Sequence, residues 1–187
     1  RSSRSAGWSR SPMPPRLSRK MEASEIHEIL RAEFDHAIGE ELGSERWPVV
    51  SVEGARIAEV STFLRDREDL RFDCLSNLTG VDLADDNQIQ VHYNVFSYQH
   101  RHQLTLCAGT VRLDPFLPTT CGVWPAANWL ERECFDLLGV RFVGHPDLRR
   151  ILMPEDWVGH PLRKDYDKLD AQPLFAPRYL GTRESDG

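Results

Sequence analysis

The 187-residue sequence predicts an α+β fold: a mostly antiparallel sheet with packed helices and a long irregular C-terminal arm. Three observations carry this. Apolar residues recur at steps of three and four in three stretches, as on one-sided helices. Between them, two runs alternate apolar and polar residues, as half-buried strands do. After residue 144 both periodicities stop, and five of the twelve prolines lie between Pro146 and Pro177. The organisation expected is a disordered basic leader (1–20), an α+β domain (21–143) and an extended docking arm and tail (144–187).

The first helix is read over Glu22 to Leu42, where Ile26, Leu30, Phe34, Ala37, Ile38 and Leu42 line one face and Gly43 fits the end. Trp47 to Val52 is short, apolar and β-branched, a strand. Ile57, Val60 and Leu64 mark a second helix ending near Arg67. Arg71 to Leu83, broken by Asn77 and Gly80, reads as a buried turn or short helix followed by a strand. Ile89, Val91, Tyr93 and Val95 alternate with Gln90, His92 and Asn94, and Leu104, Leu106 and Ala108 alternate beyond the polar turn Tyr98 to Arg101. These two runs pair as a hairpin. Asp114 to Val123 reads as a loop. A third helix begins near Pro125, a favoured first helical residue, and stops at Gly139.

The net charge of -6 is unevenly spread. Residues 1–20 hold six bases and no acid, while the rest carries 17 bases against 29 acids. An acidic body excludes a general nucleic-acid binder, which needs a basic surface. No apolar run approaches the roughly 18 residues of a membrane-crossing helix. The leader is either an organelle transit peptide or a disordered, over-extended start, with Met13 and Met21 as alternative first residues. The four cysteines, Cys74, Cys107, Cys121 and Cys134, stand 33, 14 and 13 residues apart. An iron–sulfur cluster or structural zinc wants closer thiolates, so all four read as small buried hydrophobes.

The chemistry-bearing residues concentrate between Trp129 and Tyr166. On the third helix, Arg132 and Asp136 stand at ion-pair spacing, and Glu133 lies three residues before Asp136. Glu131 adds a third acid. Two echoes follow, fifteen residues apart: Gly144-His145-Pro146-Asp147-Leu148-Arg149-Arg150 and Gly159-His160-Pro161-Leu162-Arg163-Lys164-Asp165. Each sets a His and two adjacent bases on a stiff backbone, and Arg149, Arg150 and Arg163 suit fixed carboxylate partners. A metal site from Glu131, Glu133, His145 and His160, as in a stand-alone hydrolase or metalloenzyme, lacks any HExxH-like spacing. His145 with Asp147 is as readily a turn as an acid–base pair.

The run from Glu131 to Tyr166, ERECFDLLGVRFVGHPDLRRILMPEDWVGHPLRKDY, resembles the signature of the C-type (30 kDa-type) subunit of NADH-quinone oxidoreductase, which lies in the peripheral arm of respiratory complex I. Weaker likeness runs through Leu78 to Asp82, Val91 to Ser97 and Trp124 to Leu130. Met153 to Trp157 departs from the family's aromatic-glycine linker. The resemblance implies a structural subunit of the proton-pumping NADH:quinone oxidoreductase, docked on the large quinone-site subunit (D-type) beside other peripheral-arm subunits. It implies no catalytic residue and no cofactor here; NADH, FMN, iron–sulfur clusters and quinone belong to the complex. It makes Glu131, Arg132, Glu133, Asp136, His145, Asp147, Arg149, Arg150, His160, Arg163, Lys164 and Asp165 a docking surface. The location implied is peripheral, on the cytoplasmic face of the inner membrane, or the matrix side if the leader is a transit peptide. A related subunit of a membrane-bound nickel–iron hydrogenase fits the same pattern.

Overall fold

A computed structural model describes residues 20–44 and 47–166. The leader before Lys20 and the tail beyond Tyr166 lie outside the described residues. Helix α1 spans Ala23–Phe34 and opens with a capping box between Glu22 and Glu25. It ends earlier than its apolar spacing suggests. Asp35 takes a φ of 42°, and after a tight turn the chain continues as strand β1, Ile38–Ser44. A spacing of four residues fits a strand as well as a helix, so Ile38 and Leu42 carried no decisive period. Gly43, expected to close the helix, lies within β1.

Strand β2, Trp47–Val52, pairs antiparallel with β1 and leads to helix α2, Ile57–Asp66. Strands β3 (Cys74–Leu83), β4 (Gln88–Phe96) and β5 (Gln103–Val111) form an antiparallel meander. The turn or short helix expected before β3 is strand from Cys74 onward. Asn77 is paired with Asn94, and the register shift just before it, between Leu75 and Asn77, is a bulge rather than a break. The sheet order is β1-β2-β5-β4-β3, with β2 and β5 parallel and every other pair antiparallel. The segment read as a loop holds a short strand β6, Phe116–Pro118, which pairs in parallel with β7, Arg141–Val143. Helix α3, Ala127–Leu138, starts two residues after Pro125 and ends at Gly139 with φ 79°.

One core joins the helices to the sheet. Ile26 and Leu30 of α1, Val60 and Leu64 of α2, and Val91, Tyr93 and Leu106 of the sheet are all buried within it. Each such side chain contributes about 1.5–3 kcal/mol by leaving water. Trp124 is sunk beside α3 and donates its indole N–H to the Phe72 carbonyl at 2.8 Å. The four cysteines are free thiols, with Cys107 and Cys134 buried. Burial pushes the Cys134 thiol up to about 12.

Helix α3 lies close on β3 because Gly80 has no side chain. A Cβ there would overlap a Leu138 methyl and stand 3.1 Å from the Cys134 sulfur. Leu138 is itself buried and has little room to yield. Gly80→Ala is therefore expected to destabilise the chain by about 1–3 kcal/mol through overpacking. Urea unfolding with an unchanged m-value checks this; an unshifted midpoint would mean that α3 is free to back away.

Candidate functional site

The site is built on α3. Its acids look like a charged surface, yet Glu131 and Asp136 are fully buried. Glu131 turns toward the loop before the helix. Its carboxylate accepts from the Thr119 hydroxyl at 2.5 Å, from the Thr120 amide and hydroxyl at 2.7 Å each, and from the Cys121 thiol at 3.5 Å. Local spacing marks neither threonine as a partner, since they lie twelve and eleven residues before the carboxylate.

Asp136 turns toward the segment after the helix. One oxygen accepts from Arg150 Nη1 at 2.6 Å. The other accepts three consecutive amides: Ile151 at 3.0 Å, Leu152 at 2.7 Å and Met153 at 2.9 Å. Arg150 then reaches the carbonyls of Trp157 and Gly159, at 3.1 and 3.0 Å. The expected Arg132–Asp136 ion pair is therefore absent, since Arg150 and three amides already fill this carboxylate. Arg132 instead donates to the Arg149 carbonyl and lies 4.8 Å over the Trp129 ring.

The second Gly-His-Pro segment closes the end of α3. The last four carbonyls of a helix lack partners within it. Here Phe135 receives the Gly139 amide at 2.8 Å, Leu137 the Leu162 amide at 3.0 Å, and Leu138 the Arg163 Nε at 2.7 Å. Asp136 O receives His160 Nδ1 at 2.9 Å and Arg150 Nη1 at 3.1 Å. The first segment grips the other end: His145 Nε2 donates to the Asn128 carbonyl at 3.0 Å, and its Nδ1 accepts the Asp147 amide. Asp147 holds exposed Arg149 at 3.0 Å. Farther along, Lys164 N donates to Asp82, and Arg112 bridges Asp82 and Asp165 at 2.6 and 2.5 Å. For residues 144–166 the chain itself thus supplies part of the surface on which the arm lies.

Cys121, Glu131 and His145 place ligand atoms within 4.8 Å of one another, while Glu133 and His160 do not join them. The set is already filled by hydrogen bonds. Both His145 nitrogens are occupied, and burial with the Glu131 charge pushes the Cys121 thiol up to about 11, against the pull of Thr119. To ligate a metal, a cysteine must be a thiolate and a histidine must offer a free ring nitrogen.

What faces outward is different in kind. Glu133, Arg149 and Lys164 are exposed. So are Trp129 (63%), Leu152 (54%), Val158 (78%) and Leu162 (58%). These four large apolar residues sit on α3 and on the backbone that α3 holds.

A family model described as the 30 kDa subunit of respiratory-chain NADH dehydrogenase matches residues 50–172. A curated protein from Roseiflexus sp. (strain RS-1), named as the C subunit of NADH-quinone oxidoreductase, is 46% identical over 75% of this chain and 81% of its own length. One of the same name from Geobacter sulfurreducens is 44% identical over 63% of this chain and 72% of its own. Among solved structures, a trypsin-resistant fragment (1–134) of Nqo5 aligns with a TM-score of 0.57 and 27% identity, covering 68% of this chain and all of that one. A chain of an archaeal membrane-bound sulfane sulfur reductase shares the fold at a TM-score of 0.65, 24% identity, and coverage of 78% and 86%.

Asp136→Ala is expected to cost about 3–5 kcal/mol in the isolated chain, because it leaves a half-buried guanidinium and three amides without their acceptor. Urea unfolding measures it; a loss below about 1 kcal/mol would mean the arm contributes nothing to the fold. Burial alone would raise the Asp136 carboxyl, but the Met153 amide, Arg150 and the Leu152 and Ile151 amides outweigh it, and the net shift is downward. A depressed carboxyl contributes stability above its unfolded value of about 3.9 and loses it as pH falls through the folded one. The melting temperature should therefore drop more steeply below about pH 4 in the parent chain than in Asp136→Ala.

Proposed function

The chain belongs to the family of the 30 kDa subunit of respiratory-chain NADH dehydrogenase, and on that premise we propose that it is a peripheral-arm structural subunit of a proton-pumping NADH:quinone oxidoreductase. Its partner is the large quinone-site subunit (D-type), with other peripheral-arm subunits around it. The chain supports electron transfer from NADH to quinone by architecture and supplies no catalytic group. FMN and the iron–sulfur clusters reside in other subunits. The wide cysteine spacing and the raised Cys121 and Cys134 thiols favour this, since cluster ligands are thiolates. No helix among the described residues is long and apolar enough to cross a membrane. The chain meets the membrane through its partners, on the cytoplasmic face or, with a transit leader, the matrix side.

One observation carries the docking reading. Trp129, Leu152, Val158 and Leu162 stand exposed around the backbone fastened by Asp136. Apolar side chains on a braced support lose little entropy on binding, which is what makes hot spots. Of the twelve charged and histidine residues expected to dock, Glu133, Arg149 and Lys164 remain best placed for the rim. Glu131, Asp136, Arg150, His160 and Arg163 serve by shaping that surface from within.

Leu152→Asp combined with Val158→Asp is expected to reduce co-purification with the large subunit tenfold or more. The isolated variant should keep its melting temperature, as exposed sites seldom change stability by more than about 0.5 kcal/mol. Arg149→Ala should behave likewise, with a smaller loss of assembly. Undiminished co-purification of the double variant would refute this docking face.

A further inference from the structure

We propose that His102, stacked on His100, forms a proton-operated latch, which holds the α2–β3 connection (67–73) against the β4–β5 turn (97–102) and releases it on acidification. The docking face uses neither residue. His100 Nε2 donates to the Glu68 carbonyl at 2.8 Å, and His102 Nε2 donates to the Leu70 carbonyl at 2.6 Å. Carbonyls only accept, so each Nε2 is a donor. The imidazoles are stacked, 5.4 Å between centroids and 14° from parallel, and Phe72 lies 4.7 Å from His102. Both are buried, His100 at 5% exposure and His102 at 1%.

The second nitrogen of His102 makes the device directional. Its Nδ1 is buried with no hydrogen-bond partner among the described residues. A proton added there creates an N–H without an acceptor, on a ring stacked against another imidazole. An unsatisfied buried donor of this kind is costly, and a charged one more so. The charged and titratable groups facing it are His100 from the turn, Lys20 ahead of α1 and Asp69 in the connection. His100 and Lys20 oppose a second positive charge, and Asp69 favours it. Burial is the largest influence and holds His102 below the usual histidine range, against the pull of the Leu70 carbonyl.

The sign follows. The open segment takes a proton near the unperturbed value of about 6.5 and the closed one only below it. The latch is at full strength above about pH 6.5 and weakens as pH falls from there. Opening frees Leu70 and Phe72, and with them the carbonyl that accepts the Trp124 indole.

Hydrogen exchange on the full chain between about pH 7.5 and pH 5, corrected for intrinsic rates, tests this. Residues 67–73 should open up to about tenfold more per pH unit below about 6.5, while β4 and α3 stay protected. His102→Gln keeps a donor for Leu70 and cannot titrate, so its opening should be nearly flat with pH. An equal slope in that variant, or a flat profile in the parent, overturns the proposal. Should the variant fail to fold, nitrogen-15 NMR of the parent decides. His102 titrating below about 6.5 as the Nε2–H tautomer supports the latch, and ordinary titration near that value overturns it.

Discussion

The carboxylate of Asp136 is the constraint from which the second half of this molecule takes its shape. Its two oxygens satisfy three successive amides and one guanidinium at a point with no access to solvent. A carboxylate so placed keeps its charge only if it is fully bonded; otherwise it takes up a proton. The segment 150–153 is fixed by that demand. Arg150, held at one end, is then free to collect the carbonyls of Trp157 and Gly159 and to bend the chain back toward the helix end. His160 and Arg163 arrive there as caps. A stretch without regular secondary structure acquires a definite path because each turn answers an unpaired group on α3.

Glu131 is the counterpart of Asp136 on the other side of the helix. Five residues apart, the two project about 140° from each other around the axis. One grips the loop entering the helix and the other the arm leaving it. Helix α3 therefore resembles a spindle on which two irregular segments are wound. The interior role of these acids explains how a helix rich in charge can be a core element.

Elements whose pattern lies within a few residues were legible in the sequence. The alternation of Ile89 to Val95 located β4, Leu104 to Ala108 located β5, and Gly139 marked the end of α3. The mostly antiparallel sheet followed. Three kinds of feature escaped. Strand β1 was masked because Ile38 and Leu42 satisfy either period. Strands β6 and β7 are three residues each, too short to show one. The partners of Glu131, Asp136 and Asp82 lie 11, 14 and 30 residues away, and a charge carries no mark of the distance at which it will be met. The twelve residues expected to dock stand out by their chemistry, but whether each faces inward or outward depends on contacts that local spacing does not encode.

The parallel pairing of β2 with β5 bears on how this chain comes together. Residues 49–52 are hydrogen-bonded to residues 105–108, across a large part of the described domain. Loop closure over that span costs entropy, whereas β3, β4 and β5 zip through short turns. During synthesis the N-terminal strands leave the ribosome long before their partner exists. For that interval β2 is an open edge, and it becomes an interior strand only when β5 arrives beside it. The β2–β5 seam is therefore the ladder of this sheet whose closure costs the most chain entropy.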